Sequence, residues 1–201
     1  MMPDGPAESL SASPPYVHEQ QPSPERLVEK CKAGCTKSFE LLVQQYEKRI
    51  YNFLWQLSGN SHDAEDLTQE TFLKAFQSIH RVNSAQAFST WLFTIAKRTA
   101  FNHFRGGKRF QELSADDEVD FEDPSLLLEQ KDEARSLWKL AKALKPDQYE
   151  TLWLRYGEGF SIAETARILN TNQVRVRVLL HRARKSLGKS LGGGRNSVSP
   201  K

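Results

Sequence analysis

Apolar side chains recur at α-helical spacing along almost all of the sequence from residue 25 to residue 188, and this periodicity limits the fold more than any other feature. No alternating strand pattern of useful length interrupts it, and the interior prolines Pro124 and Pro146 stand where helices would begin. The sequence therefore predicts an all-α fold. The predicted helices span residues 25–33, 37–57, 62–80, 87–105, 126–144, 147–156, 161–169 and 173–188.

Two small helical domains of similar helix count are predicted, joined by an acidic flexible linker. Residues 110–123 lack helical periodicity and are followed directly by Pro124. The N-terminal segment is rich in Pro, Ser and Glu, a composition typical of disorder. The predicted division is a disordered extension at 1–24, a first domain at 25–109, the linker at 110–125, a second domain with a helix-turn-helix at 126–190, and a flexible tail at 191–201.

Charge is distributed unevenly along the chain. Five basic residues and no acid lie between Lys97 and Arg109, and six basic residues and no acid lie between Arg175 and Lys189. Between these segments, seven acids and no base lie from Glu112 to Asp123. Two cationic segments separated by an anionic one predict two contacts with a polyanion.

The cellular compartment is predicted from the number of cysteines and from the composition of the N-terminal residues. Only Cys31 and Cys35 occur, which is no disulfide framework and fits a reducing compartment. No run approaches the ~18 apolar residues that a membrane span needs, and the first residues carry acids and prolines in place of an apolar segment. We expect a cytoplasmic protein. A redox or zinc switch is one interpretation of the two cysteines. Two incidental cysteines are the favoured interpretation, because Gly34 interrupts the helix between them and no third or fourth ligand is near.

The segment from Phe160 to Leu187 predicts a helix-turn-helix. Ser161 and Glu164 form a capping box at the start of its first helix, and a three-residue turn follows at 170–172. An apolar stripe for the core runs along the second helix at Val176, Leu180, Ala183 and Leu187.

The other face of that second helix is basic and suits a DNA major groove. Its candidate DNA-binding residues are Gln173, Val174, Arg175, Arg177, Val178, His181, Arg182 and Lys185. Guanidinium groups pair with guanine edges or phosphates, and Val178 is placed to meet a thymine methyl. A basic, solvated surface helix is the alternative.

The predicted helix at 87–105 is aromatic and basic at once. Its inward stripe is Phe88, Leu92, Ile95, Ala96 and Thr99, and its other side carries Thr90, Thr94, Lys97, Arg98, Phe101 and Arg105. Aromatic rings stack on bases and cations follow phosphates, so this face is typical of single-stranded DNA binding. Simple packing in a small domain is the alternative, and it is the favoured interpretation for Trp91.

The predicted helix at 62–80 is acidic, and a helical wheel turns its acids outward. Ala64, Leu67, Thr71, Phe72, Ala75 and Ile79 face inward, whereas Asp63, Asp66, Gln69, Glu70, Leu73 and Gln77 face outward. Ser61 is the expected N-cap, and acids in the first turn favour the positive end of the helix dipole. An exposed Leu73 among polar residues favours a protein docking surface over a merely solvated face.

Catalysis and cofactor binding are not expected. A four-helix metal site needs inward carboxylates with E-x-x-H spacing, and here the acids point outward. No phosphate-binding loop or nucleophile elbow occurs either. We therefore expect no enzymatic activity, no cofactor and no metal.

Several segments in order resemble a known family. They are SFELLVQQYEKRIYNF at 38–53, DAEDLTQETFLKAF at 63–76, FSTWLFTIAKRTAFNHFR at 88–105, LKPDQYETLWLRYGEGFSIAETARIL at 144–169 and RARKSL at 182–187. These segments resemble the two domains of bacterial RNA polymerase sigma factors, over about residues 25–190. The lack of further domains indicates the small extracytoplasmic-function group.

The resemblance implies a set of partners. The helix at 62–80 is expected to bind the clamp helices of the largest subunit of core polymerase, through Asp66, Gln69, Glu70, Leu73 and Gln77. The flap of the second-largest subunit is a further expected contact. The following loop and helix are expected to open the −10 promoter element, through Val82, Asn83, Ser84, Lys97, Arg98, Phe101 and Arg105. The helix-turn-helix is expected to read the −35 duplex, and an anti-sigma factor is expected to cover the polymerase-binding surfaces.

The sequence departs from the family where promoters are read. Val82, Asn83 and Ser84 stand where relatives often have Phe-Arg-Gly, and Arg98 stands where an Asn is common. The promoter sequence is therefore not implied by the resemblance.

Two rival functions remain at this level. A helix-turn-helix regulator independent of polymerase leaves the outward acidic face and the single-strand-type helix without a role. An interaction adaptor that has lost DNA binding leaves the cations on both proposed DNA faces unexplained.

Overall fold

A computed structural model describes residues 22–82, 87–106 and 137–193, and all regular secondary structure in these ranges is helical. The elements are α1 (Pro24–Lys32), α2 (Thr36–Ser58), α3 (Ser61–Ser78), a 3-10 turn (Ile79–Arg81), α4 (Phe88–Gly106), α5 (Pro146–Leu152), a π-helical turn (Trp153–Gly157), α6 (Ile162–Ile168) and α7 (Gln173–Gly193). Residues 137–141 are also helical. The predicted linker at 110–125 and most of the predicted extension at 1–24 lie outside the described residues. The all-α prediction is confirmed.

Local capping explains where the N-terminal helices begin and end. Gly34 and Gly59 take positive φ angles of 92° and 66°, the left-handed conformation that glycine adopts without steric cost at a helix C-terminus. The predicted N-cap of α3, Ser61, is wrong by one residue. Asn60 is the cap, because its Oδ1 accepts hydrogen bonds from the backbone N–H groups of His62 (2.8 Å) and Asp63 (3.2 Å).

The N-terminal unit, α1 to α4, packs around the long helix α2. Phe53 of α2 meets Phe93 of α4 at 5.2 Å between ring centroids, and Tyr46 meets Phe88 at 5.3 Å. The predicted inward stripe of α3 is confirmed, because Ala64, Leu67, Thr71, Phe72, Ala75 and Ile79 are all buried. Each fully buried large apolar side chain contributes about 1.5–3 kcal/mol relative to an exposed one, so this stripe anchors α3 in one rotational setting.

The C-terminal unit, residues 137–193, holds the predicted helix-turn-helix. Its aromatic centre is Trp138 against Trp153, at 5.2 Å between centroids. The stripe of α7 is confirmed, since Val176, Leu180, Ala183 and Leu187 are buried. Asn170 adopts a positive φ of 50° in the turn between α6 and α7, a conformation that Asn tolerates better than most residues.

The capping box at the start of α6 is also confirmed. The Ser161 Oγ accepts from the Glu164 backbone N–H at 3.2 Å, and the Ser161 backbone N–H donates to Glu164 Oε2 at 2.9 Å. None of the described helices is long and apolar enough to cross a membrane.

Candidate protein and nucleic-acid interfaces

The outward face of α3, which we call the α3 docking face, consists of Asp66, Gln69, Glu70, Leu73 and Gln77, and all five are exposed. Glu70 Oε1 lies 2.6 Å from Lys74 Nζ one turn later. Leu73 is 57% exposed among these polar groups. An exposed leucine surrounded by polar side chains is typical of a protein interface.

Sequence reasoning missed Phe76, which extends this face. Its ring is 46% exposed and packs edge-on against Phe39 at 5.0 Å between centroids. Phe76 follows Leu73 by three residues, so helical spacing alone places the two side by side. That spacing is the signal by which it could have been found. Together they give the α3 docking face two apolar anchors.

The α3 acids do not converge on a common point. Among the described residues, no group of three or more His, Cys, Asp or Glu side chains is arranged to hold a metal ion. Asp66 lies 3.8 Å from His62 and Asp63 lies 3.8 Å from His103, both on the protein surface. Both contacts are therefore electrostatic interactions between pairs of side chains at the protein surface.

The cationic side of α4 is divided between solvent and protein. Arg98, Phe101 and Arg105 are exposed, with Phe101 at 49%. Lys97 instead forms an ion pair with Glu150, at 2.5 Å between Nζ and Oε1. Thr90, expected on the outward side, is fully buried. The helical wheel could not show this, because the covering residues belong to the C-terminal unit.

The loop before α4 is only partly described. Asn83 and Ser84 lie outside the described residues. Val82 is 5% exposed and packs into the hydrophobic core. The prediction that Val82 contacts DNA is therefore corrected: in this arrangement its side chain anchors the end of the 3-10 turn.

The outward face of α7, which we call the recognition face, is exposed to solvent. It comprises Gln173, Val174, Arg175, Arg177, Val178, His181, Arg182 and Lys185. Asn172 Oδ1 caps the helix by accepting from the backbone N–H of Arg175 at 2.8 Å. Val174 and Val178, one turn apart, are 66% and 41% exposed among the cations. Such a face offers cations for phosphates and two apolar side chains for base methyl groups.

Side chains from the two units meet in a partly buried region, which we call the inter-unit contact. Arg49 Nε donates to Glu158 Oε2 at 2.8 Å, and Thr90 Oγ1 donates to Glu164 Oε1 at 3.0 Å. The Lys97–Glu150 ion pair belongs to the same contact.

Three carboxylates of the C-terminal unit form the polar pairs of this contact: Glu150, Glu158 and Glu164. The pKa of each depends on its surroundings. Burial raises the pKa of Glu158, and the Arg49 guanidinium opposes this effect. Burial likewise raises the pKa of Glu150, against the opposing charge of Lys97. The pKa of Glu164 is lowered, chiefly because the Ser161 side chain donates a hydrogen bond to it. Sequence reasoning missed Glu150 and Glu158, since nothing in their local pattern marks them.

The two cysteines lie at the junction of α1 and α2, and both are free thiols. The Ser38 hydroxyl donates to Cys35 Sγ at 3.3 Å and lowers the pKa of that exposed thiol. Burial raises the pKa of Cys31. Their different acidity is explained by these local contacts.

Comparison with known proteins gives matches over both units. Residues 42–110 match the family model of Sigma-70 region 2, and residues 134–187 match that of Sigma-70, region 4. The chain is 33% identical over 171 residues to the ECF RNA polymerase sigma factor BldN of Streptomyces coelicolor, a match covering 82% of this chain and 64% of the relative. It is 31% identical over 181 residues to the ECF RNA polymerase sigma factor SigW of Bacillus subtilis, covering 82% of this chain and 94% of that protein.

Solved structures of other proteins share the fold. The sigma factor RpoE from Bartonella quintana, solved in complex with the anti-sigma factor NepR, superimposes with a TM-score of 0.58 at 22% sequence identity. The match covers 78% of this chain and 98% of that one.

Proposed function

This chain belongs to the extracytoplasmic-function sigma factors of bacterial RNA polymerase, and from that membership we propose how its surfaces divide the work of transcription initiation. The α3 docking face binds the clamp helices of the largest polymerase subunit. The exposed part of α4 acts on the −10 element as single strands, and the recognition face of α7 reads the −35 element as duplex. The flap of the second-largest subunit is a further contact of the chain.

One observation carries the polymerase contact. Leu73 and Phe76 stand exposed, side by side on α3, within a ring of acids and glutamines. Exposure of two neighbouring apolar side chains to water is unfavourable. A protein partner that covers them explains why they lie on the surface. The alternative function, a DNA-binding regulator that acts without polymerase, does not explain the exposed apolar residues of the α3 docking face.

The described helices support a division of the chain into two domains. We propose an extension at 1–23, a first domain at 24–109 that contains α1 to α4, a linker at 110–125 and a second domain beginning at 126; the first domain starts one residue before the predicted boundary because α1 begins at Pro24. Because α7 continues to Gly193, we propose that the second domain ends at 193, three residues past the predicted boundary at 190. The tail is correspondingly shorter than the predicted 191–201.

The cellular setting follows from the partner. Core polymerase is cytoplasmic, so we place the chain's action in the bacterial cytoplasm, as an initiation factor with no enzymatic activity or cofactor of its own. An anti-sigma factor is a proposed partner, supported by the similar fold of RpoE from Bartonella quintana, which was solved with one.

Transcription in a purified system tests the proposal. Mapping of transcription start sites after overexpression identifies candidate promoters. Purified chain added to core polymerase then gives run-off transcripts from such a promoter, whereas core enzyme alone does not. The Glu70→Lys variant is expected to lose the transcript. Failure of the unaltered chain to co-purify with core polymerase contradicts the proposal.

A further inference from the structure

The junction of α1 and α2 brings the two thiols of the chain together. There α1 ends in a Schellman motif: the Gly34 N–H donates to the Cys31 carbonyl at 2.9 Å, and the Cys35 N–H donates to the Lys30 carbonyl at 3.0 Å. These bonds fold the chain back, so that Cys35 returns beside the last turn of α1, where Cys31 lies. Burial raises the pKa of Cys31, and the charge of Cys35 raises it further, as expected for neighbouring sulfurs.

Cys35 is the more accessible and the more acidic of the two thiols. It is exposed, and it is the N-cap residue of α2, a helix of 23 residues. The hydroxyl of Ser38, a residue only 4% exposed, donates to Cys35 Sγ at 3.3 Å. That hydrogen bond is the main cause of the lowered pKa of Cys35, and the charge of Lys30 acts in the same direction. Because the thiolate is the nucleophilic form, Cys35 is the thiol that reacts first with an oxidant in solvent.

The two thiols have different roles in such a reaction. Thiols that sense oxidants are acidic, accessible and close to a second thiol that resolves the oxidised sulfur, and this pair has all three properties. Sequence spacing alone favours incidental cysteines. The hydrogen bond from Ser38 and the unequal burial of Cys31 and Cys35 arise only in the folded chain.

The first turn of α2 connects Cys35 to the α3 docking face. Phe39, four residues after Cys35, is 9% exposed, and its ring packs edge-on against Phe76 at 5.0 Å between centroids. Phe76 is one of the two apolar anchors of that face. A disulfide imposes its own dihedral angle on the turn between its cysteines, and it removes the sulfur that accepts from the buried Ser38 hydroxyl. Oxidation therefore disturbs the turn of α2 that supports Phe76.

We propose that Cys35 is a site of reversible oxidation by hydroperoxides, that Cys31 converts the oxidised sulfur into an internal disulfide, and that this disulfide weakens binding of the α3 docking face to core polymerase. The last step rests on the proposed function. The thiol chemistry is a property of the chain alone.

The reaction has two steps. The Cys35 thiolate attacks one oxygen of hydrogen peroxide, so that an S–O bond forms, the O–O bond breaks and hydroxide leaves. The Cys31 thiol then attacks the sulfur of the resulting sulfenic acid; the S–S bond forms, the S–O bond breaks, and water leaves with the Cys31 proton. The peroxide is reduced by the two electrons that the thiols lose. A dithiol reductant reverses the reaction by thiol–disulfide exchange.

Mass spectrometry of the full chain after treatment with hydrogen peroxide tests this chemistry. We expect the unaltered chain to lose two hydrogens in a disulfide that joins Cys31 to Cys35, and dithiothreitol to restore both thiols. In Cys31→Ser, dimedone should trap a sulfenic acid at Cys35. In Cys35→Ser, which keeps a good N-cap residue, Cys31 should remain a thiol. Equal oxidation of the two single-cysteine variants, or a disulfide between two chains in place of the internal one, overturns the proposal.

The hydrogen bond from Ser38 is tested by the rate of oxidation. Ser38→Ala removes the donor and should slow the reaction of Cys35 with peroxide about threefold at neutral pH, because the thiolate fraction falls. Ser58→Ala, at the other end of α2, is the matched control and should react at the unaltered rate. Circular dichroism verifies that both variants are folded. Equal rates in the unaltered chain and Ser38→Ala overturn the assignment of Cys35 as an activated thiol.

Binding to core polymerase tests the consequence of oxidation. The chain is labelled at its N-terminal amine, oxidised, freed of peroxide and titrated with core polymerase in fluorescence anisotropy. The oxidised chain should bind several-fold more weakly than the reduced chain, and dithiothreitol should restore binding. The variant with both Cys31→Ser and Cys35→Ser should bind equally with and without peroxide treatment. If the reduced chain does not bind, the proposed function fails. If it binds and the disulfide form binds equally well, the regulatory step is overturned.

Discussion

Arg49 on α2 donates through Nε to Glu158 Oε2 at 2.8 Å, although 109 residues separate the two in the chain. The pair joins the helix at the centre of the N-terminal unit to the turn that leads into the helix-turn-helix. Burial raises the pKa of Glu158 even though Arg49 lies against it, so desolvation outweighs the attraction. A small net contribution of this pair to stability is therefore expected.

The first prediction concerns the α3 docking face. Leu73→Glu should weaken binding to core polymerase by about 2 kcal/mol or more, because it removes an apolar anchor and adds a charge at an interface centre. Leu73 is 57% exposed, so the free energy of unfolding should change by less than about 0.5 kcal/mol. Fluorescence anisotropy with labelled chain measures binding. Leu191→Glu, at a leucine 52% exposed on α7, is the control and should bind normally. If the unaltered chain, Leu73→Glu and Leu191→Glu bind core polymerase equally well, the docking face lies elsewhere.

The second prediction concerns apolar readout of the −35 element. Val178 is 41% exposed on the recognition face and should contact a thymine methyl. Replacing that thymine with uracil removes only the methyl and should weaken duplex binding about fourfold, from about 0.8 kcal/mol per buried carbon. Val178→Ala should bind thymine and uracil duplexes nearly equally. Each thymine of the site is replaced in turn. If uracil weakens binding of Val178→Ala as much as it weakens binding of the unaltered chain at every one of them, Val178 does not contact a thymine methyl.

The third prediction separates phosphate contacts from base contacts on α7. Arg175→Ala and Arg182→Ala should each weaken −35 duplex binding. If the contact is to phosphate, the slope of log K against log salt should fall by about 0.9 per lost contact. Titrations at four salt concentrations measure the slope. Lys139→Ala, an exposed cation of the same unit away from α7, should leave it unchanged. A weaker complex with an unaltered slope indicates base readout instead.

The fourth prediction concerns the capping box of α6. The folded pKa of Glu164 is lowered, chiefly by the hydrogen bond from Ser161, so its ionised form stabilises the folded state. This stability is present above the ordinary carboxyl pKa and is lost as pH falls through the lowered folded value. Glu164→Gln keeps a capping acceptor without the charge. Urea unfolding from pH 3 to pH 7 should show a smaller loss of stability on acidification in the variant. Parallel pH profiles of the two proteins contradict this role.

Much of the fold was accessible from the sequence because helices are local. The apolar stripes of α3 and α7 and the capping box of Ser161 and Glu164 depend on residues three or four apart, and all are observed. Helix ends were less certain: Asn60 and Ser61 can both cap a helix, and only the backbone geometry selects Asn60. The spacing of Phe76 from Leu73 likewise places it on the α3 docking face.

The placement of Thr90 and Lys97 could not be predicted in the same way. A helical wheel sorts residues into two faces of one helix and carries no information about which other element covers a face. The wheel places Thr90 and Lys97 on the outward side of α4, which is the side that the C-terminal unit contacts.

The sequence by itself determined the helices, their inward stripes, the helix-turn-helix and the family, because short-range periodicity and ordered motifs encode them. The tertiary structure decided which polar residues find partners: Arg49 with Glu158, Lys97 with Glu150, and Thr90 with Glu164. These pairs join residues far apart in the chain, and a buried charge is satisfied by whichever opposite charge the packing of the two units brings within reach.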